Sequence, residues 1–254
     1  MLDELVTGDV FAVALVFCRV GGAVMLLPGF SENFVNARVR LMIGLALAVV
    51  LTPVVSSTLP SMPAGVFAAF VLIGGEILIG VFLGGMVRML VSALHIAGVI
   101  IGFQTSLANA SFFDPANAQQ GSVIAAFLNI IGVFLIFVSD LHHLMLMAIA
   151  DSYTLFRPGA PLPLGEFSEM AVRIISGSFI LGIQLSAPFI VVGTIFYAGL
   201  GLLGRLMPQM QVFFVAIPIQ IVIAFLIMAM TLSAGMLWFL SHFQESLLLF
   251  TGQG

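Results

Sequence analysis

The chain has 254 residues, of which 61% are hydrophobic and only 7% are charged, whereas a soluble globular domain carries about 25% charged residues. This composition is typical of a membrane protein. The net charge of -4 combines eleven acidic residues with seven basic ones, all of them arginine, so no polybasic patch exists and nucleic-acid binding is excluded.

A helix that crosses the roughly 30 Å hydrocarbon layer needs about 20 apolar residues. Six regions of the chain approach or exceed that length. We therefore predict an all-α, integral membrane-type protein with about six hydrophobic, partly broken helical regions, forming a single domain over residues 1–254. In chain order the regions are 10–27, 41–59, 65–107, 123–150, 174–203 and 212–240.

Breaks are expected at several points in these regions. The third region is long enough for two crossings or one bent hairpin, and the motif SDLHH interrupts the fourth. Proline removes a backbone donor, and the freed carbonyl is tolerated at membrane depth only where protein or water satisfies it. Pro53, Pro188 and Pro218 therefore predict broken helices that are surrounded by protein.

Three charged residues, Arg19, Glu76 and Arg88, lie within apolar regions. An isolated charge is costly there, so each is expected to be buried with a partner. Glu76 can pair with Arg19 or Arg88, although twelve residues separate Glu76 from Arg88 and disfavour a direct pair within one straight helix. Structural ion pairing inside an assembly is favoured over a proton relay.

Small residues recur every four positions before and into the polar stretch ANASFFDPANAQQGS. Such a face lets helix backbones approach closely, either within the chain or between subunits. Gly80 and Gly84 repeat the pattern. The longer series is Gly98, Gly102, Ser106 and Ala110.

The sequence offers few residues that could carry out catalysis. Asp140, His142 and His143 form a cluster of ligand-type residues, but adjacent histidines on a helix point about 100° apart, and Asp140 with His143 supplies only two ligands. Ser178 has no assigned base, and metalloprotease, nucleophile-elbow and phosphate-loop motifs are absent. We predict no catalytic residue, no metal site and no cofactor.

Five stretches in order resemble the family of the flagellar biosynthetic protein FliR, the single-copy subunit of the type III export gate, whose counterpart in virulence secretion is SctT. The resemblance covers nearly the whole chain. The matching stretches are RVGGAVMLLPGFSE, RVRLMIGLALAVVLTP, GGEILIGVFLGGMVRMLVSALHIAGVIIGFQ, SFFDP and GLLGRLMPQMQVFFVAIPIQI.

The resemblance implies a non-enzymatic subunit of a helical gate in the bacterial inner membrane, at the flagellar basal body. Its partners would be five FliP-type and four FliQ-type subunits, an FlhB-type switch protein and the exported flagellar proteins. The hydrophobic helices would pack against these subunits. Candidate subunit-packing residues are Gly98, Gly102, Ser106, Pro208, Gln209, Gln211 and Pro218.

The aromatic pair Phe112 and Phe113 stands out within the polar stretch. The residues alone favour an interfacial aromatic anchor. The family places a pore-plugging loop after its IGFQ-like motif, which implies that both rings fill the closed channel. The implied plug comprises Ala110, Ser111, Phe112, Phe113, Asp114 and Pro115.

Two other functions remain as alternatives. A small-solute secondary transporter would bind its substrate at broken helices near Pro188 and Pro218, but the sequence shows no inverted repeat. An intramembrane hydrolase would need a nucleophile and base, for which Ser178 and Asp140 are the weak candidates. The SctT-type subunit of a virulence system is the alternative within the same family.

Overall fold

The computed structural model describes residues 2–32, 34–63, 65–107, 122–207 and 212–248, with the backbone alone for 2–7 and 212–215. These residues form seven α-helices and one 3-10 turn, and none of them lies in a strand, which confirms the all-α prediction. The fourth predicted region holds two helices. The helices are α1 (Leu2–Val24), α2 (Ala37–Val55), α3 (Val66–Gln104), α4 (Val123–Val138), α5 (Leu141–Leu155), α6 (Leu164–Leu206) and α7 (Val212–Leu248), with the turn at Ser56–Thr58.

Four of these helices are long and apolar enough to cross a membrane, and the pair α4 and α5 adds a fifth candidate if it counts as one bent span. The membrane-class prediction is confirmed. For α3 the expectation of two crossings or a bent hairpin is wrong, because its 39 residues form one helix. No proline or polar turn interrupts 66–104, and at 1.5 Å per residue the helix is about 58 Å long.

The predicted breaks at proline are also corrected. Pro53, Pro188 and Pro218 lie inside α2, α6 and α7, which continue past them. One proline removes one hydrogen bond of the ladder, and the neighbouring bonds keep the helix intact. Among the described residues the sharp bend lies between α4 and α5, at 76°, where Asp140 adopts a left-handed conformation with φ 57.

The chain divides into two compact units. The first comprises Met1–Leu90, Ile136–Ile175 and Phe243–Gly254. The centre of α1 lies in its core, because Leu15, Val16, Arg19, Val20, Ala23 and Val24 are all buried. These positions repeat at three- and four-residue spacing and mark one helix face.

Most of α2 faces outward from this first unit. Its buried residues are only Gly44, Ala48 and Val55, and Gly44 packs against Gly21 of α1. The start of α3 is similar, since Phe67 and Phe70 are 83% and 70% exposed. Apolar surface of this extent requires lipid or another protein to cover it.

The second unit comprises Val91–Leu135 and Ser176–His242. Here α3 and α4 lie in close backbone contact, because a Cβ on Gly98 would overlap the Cα of Ala125. Gly102 faces the Ser122 side chain in the same way. Glycine is therefore required at Gly98 by the distance between two backbones.

Two glycine substitutions in α3 test this packing, because they should change the stability of the chain in opposite directions. Gly98→Ala places a methyl group on the Ala125 backbone and should destabilise the chain by about 1–3 kcal/mol through overpacking. A Cβ added at Gly74 would meet no atom within 4 Å, so Gly74→Ala should gain up to about 1 kcal/mol of helix propensity. Thermal unfolding of the purified chains in mild detergent measures both, and equal effects would contradict the assignment.

Candidate functional site

The first unit encloses a bidentate ion pair between Arg19 of α1 and Glu76 of α3. Arg19 is 0% and Glu76 is 1% exposed. The Arg19 Nε donates to Glu76 Oε2 at 2.7 Å, and Nη2 donates to Oε1 at 3.0 Å. Such fork-to-fork pairing is the strongest geometry available to a guanidinium and a carboxylate.

Small residues bring the two helices close enough for this pair. A Cβ on Gly80 would collide with the Arg19 carbonyl, and one on Gly84 would approach the Ala23 carbonyl at 2.5 Å. On α1, Gly22 faces the Ile77 carbonyl. The four-residue spacing of Gly80 and Gly84 therefore serves packing within the chain.

The remaining donors of Arg19 all bind the end of α5. Its Nη1 donates to the Ser152 carbonyl at 3.0 Å and to Ser152 Oγ at 3.1 Å, and Nη2 donates to the Phe156 carbonyl at 2.8 Å. The Ser152 carbonyl also accepts from the Phe156 N–H, and helix ends leave further carbonyls without intrahelical partners. Arg19 thus satisfies all five of its own N–H groups and caps α5 at the same time.

Tyr153 covers the guanidinium. The Cζ of Arg19 lies 4.0 Å from the centroid of the Tyr153 ring, a distance at which the ring face attracts a cation. Tyr153 is 0% exposed, so this ring also keeps water from the pair. Because both Glu76 oxygens accept from Arg19, the arrangement is a closed structural pair that does not favour passing a proton onward.

Arg88 differs from this pair. The prediction that it is buried is wrong: Arg88 is exposed, with Nη1 donating to Ser31 Oγ at 3.1 Å. Twelve residues turn a helix by about 120° beyond three full turns. Arg88 therefore points away from the face of α3 that carries Glu76.

A second polar cluster lies at the C-terminal end of α3, in the second unit. Ser106, with φ 58, leaves the helix in the left-handed region. Its Oγ donates to Gln220 Oε1 of α7 at 2.9 Å and lies 3.1 Å from the Tyr197 hydroxyl of α6. Gln220 Nε2 in turn donates to the Gln104 carbonyl at 2.5 Å. Gln220 thus satisfies an unpaired carbonyl at the end of α3 and fixes where the chain leaves that helix.

The start of α4 is fastened to the same part of α3. Ser122 Oγ donates to the Gly98 carbonyl at 2.9 Å, and Gly102 faces the Ser122 side chain. Ser106 and Ser122 therefore lie on the same end of α3. They are the polar contacts nearest to 108–121, which the structure does not describe.

Several predicted site residues fall outside the described part of the chain. These are the implied plug residues Ala110, Ser111, Phe112, Phe113, Asp114 and Pro115, and the packing residues Pro208, Gln209 and Gln211. Pro218 is described and is exposed on α7. It remains a candidate for contact with another subunit.

Gly98, Gly102 and Ser106, which were predicted to pack against other subunits, make contacts within the chain. Gly98 and Gly102 contact α4 and the residue before it in the same chain, and Ser106 is 7% exposed and bonded to α6 and α7. Packing within the chain was the other interpretation of their spacing. That interpretation is confirmed, because the partner helix is supplied by the same polypeptide.

The structure also describes the surroundings of the residues that were considered for catalysis. Ser178 is 1% exposed, and its Oγ has no hydrogen-bond partner in the described part of the chain, so no base activates it. His142 and His143 are closer than a 100° separation on a helix suggests, since their ring centroids are 4.1 Å apart. They lie in the first turn after the 76° bend, next to Asp140.

Sequence reasoning did not identify the residues that complete the two clusters. Ser152, Tyr153, Tyr197 and Gln220 are polar residues within apolar helices, which was the available signal. They meet their partners only through tertiary folding, since Ser152 is 133 residues from Arg19 and Gln220 is 114 from Ser106. Periodicity within a helix carries no information about such pairs.

Comparison with known proteins gives consistent matches. Residues 10–246 match the family described as bacterial export proteins, family 1. A flagellar biosynthetic protein FliR of Caulobacter vibrioides is 36% identical over 96% of this chain and 97% of its own. The FliR of Escherichia coli is 30% identical over 83% and 80%. The Yop proteins translocation protein T of Yersinia pestis is 26% identical over 98% and 95%.

The buried pair predicts a large and specific loss of stability. Arg19→Met leaves Glu76 buried without a partner and should lower the free energy of unfolding by about 3–5 kcal/mol. Arg19→Met combined with Glu76→Leu should recover part of this loss, because no unpaired charge remains. Denaturant unfolding in mild detergent measures each variant.

Arg88→Met is the matched control, since Arg88 is exposed on the same helix as Glu76. Its effect should stay within about 0.5 kcal/mol. An Arg19→Met chain no less stable than Arg88→Met, or a double variant no more stable than Arg19→Met, would contradict the structural role of the pair.

Proposed function

The chain belongs to the bacterial export proteins, family 1, and we propose that it is the FliR-type subunit of a flagellar type III export gate. It is a membrane component of a type III export system and is not an enzyme. The observation that supports the flagellar assignment is similarity along nearly the whole chain to proteins named for flagellar biosynthesis.

In this proposal the chain assembles with five FliP-type and four FliQ-type subunits in the bacterial inner membrane, at the base of the flagellum. An FlhB-type switch protein and the exported flagellar proteins complete its partners. The outward faces of α2 and the first half of α3 support such an assembly. They present large apolar side chains, and neighbouring helices would cover part of that surface.

Transport through the gate does not require this chain to make or break a covalent bond. A gate subunit contributes a wall and a seal for the passage of an unfolded polypeptide. The internal pairing of Arg19 with Glu76 suits a wall, because it holds three helices together without exposing charge. The chain would thus act as a rigid part of the conduit.

The seal is assigned to residues 110–115, with Phe112 and Phe113 filling the closed pore. Two aromatic rings exclude water from a narrow channel, and Pro115 restricts the backbone that follows them. The described flanks support this assignment. Ser106 donates to Gln220 and Ser122 donates to the Gly98 carbonyl, so the described residues on either side of 108–121 are anchored to helices of the second unit.

A virulence-type SctT subunit is the second candidate. The similarity to the Yersinia translocation protein over almost the whole chain favours it. We rank it second because that match has lower identity than the matches to the Caulobacter and Escherichia FliR proteins. Both candidates use the chain as a gate subunit.

Replacing Phe112 and Phe113 together by alanine should open the closed gate. Cells that express the variant are expected to leak ions or small solutes, because the pore loses the two rings that exclude water. Uptake of a membrane-impermeant dye and collapse of the ion gradient measure the leak. Deletion of Ser111 to Asp114 should have the same effect.

The control is Gln119→Ala with Gln120→Ala, which alters the same polar stretch and keeps both rings. It should leave cells as tight as the parent. Co-purification with the FliP-type subunit confirms that each variant assembles. An alanine variant that assembles and remains tight would remove the plug assignment, whereas failure of the parent chain to associate with a FliP-type subunit would remove the gate assignment itself.

A further inference from the structure

The corner between α4 and α5 brings three ligand-type side chains together. Asp140, His142 and His143 each offer one ligand atom, and these atoms lie within 4.8 Å of one another. All three belong to the first unit. Neither the export function nor the buried pair uses them, and the structure gives this corner features that a simple connection does not need.

The backbone of Asp140 is the first such feature. It adopts φ 57 and ψ 12 at the N-terminus of α5, a left-handed conformation that few residues other than glycine, asparagine and aspartate adopt. Aspartate at this position normally accepts a hydrogen bond from the first turn of the helix. Asp140 makes no such capping bond, and its Oδ1 instead lies 3.6 Å from His143 Nδ1.

The setting of His142 is the second feature. Its ring stacks on Phe137, with centroids 4.9 Å apart and an interplanar angle of 14°. Its Nδ1 is buried and has no hydrogen-bond partner within the described ranges. A buried polar atom without a partner destabilises the fold, and a ligand at this corner would remove that cost.

We propose that Asp140, His142 and His143 bind a divalent transition-metal ion of the Zn²⁺ and Co²⁺ class. Two imidazoles and one carboxylate are the ligands that these ions prefer, whereas Mg²⁺ and Ca²⁺ select oxygen. Bonds of about 2.0–2.1 Å place tetrahedral ligand atoms roughly 3.3 Å apart. Asp140 and His143 are exposed side chains, so they can move the remaining distance and leave the fourth position to water.

The three ligand residues differ in exposure, which leaves one side of the site open to an entering ion. His142 is partly buried against Phe137 and supplies a fixed ligand. The side chains of Asp140 and His143 are 77% and 65% exposed and form the open side. Binding would hold the bend between α4 and α5 through Asp140 in the connection and two residues of the following helix.

Co²⁺ titration of the purified full chain tests the proposal. The chain is prepared in mild detergent with a streptavidin-binding tag, since a polyhistidine tag would bind the same ions. The visible absorption of Co²⁺ bound to nitrogen and oxygen ligands should appear and saturate, Zn²⁺ should displace it, and Mg²⁺ should not. Absence of saturable Co²⁺ absorption, or equal displacement by Mg²⁺, would overturn the proposal.

Three variants and one control assign the ligands. Asp140→Asn, His142→Ala and His143→Ala should each weaken Co²⁺ binding by more than about tenfold, the lower end of what even outer-shell partners contribute. His95→Ala is the control, because His95 is an exposed histidine of α3, and it should leave the titration unchanged. Unfolding temperatures without metal show whether each variant is folded. Binding that survives in the folded His142→Ala and His143→Ala chains would contradict the site.

Discussion

A guanidinium buried among apolar helices must have every donor satisfied, and this constraint shapes the first unit. Arg19 meets it by binding both oxygens of Glu76 and the carbonyl end of α5. Three helices are therefore fixed around one side chain. The glycines of α1 and α3 follow from the same requirement, because only close backbones bring the two charged groups within hydrogen-bond distance.

The same principle holds at the end of α3 in the second unit. Ser106 and the Gln104 carbonyl are satisfied by the amide of Gln220. The polar groups of these two clusters are thus paired internally, while α2 and the start of α3 expose large apolar side chains. A chain with this exposed apolar surface needs lipid or other protein around it. The chain belongs to a family of bacterial export proteins, and in the proposed gate neighbouring subunits would cover part of this surface.

Much of this architecture was predictable from the sequence. Hydrophobic run length identified the six regions, and the cost of an isolated charge identified Arg19 and Glu76 as buried. Proline was misleading, since the helices continue past Pro188 and Pro218 and the bend lies at the left-handed backbone of Asp140. The four-residue spacing of small residues from Gly98 onward predicted which face of α3 is in close contact, but it did not predict which helix lies against that face. Spacing along one helix cannot distinguish a partner helix of the same chain from one of a neighbouring subunit.

The most direct test of the account is the mass of the particle in which the chain leaves the membrane. The tagged chain, expressed in its own host and extracted in mild detergent, is measured by native mass spectrometry. The account predicts one copy of this chain within a large particle of fixed composition that contains FliP-type and FliQ-type subunits. A stable, solitary chain with its apolar faces covered by detergent alone would contradict it.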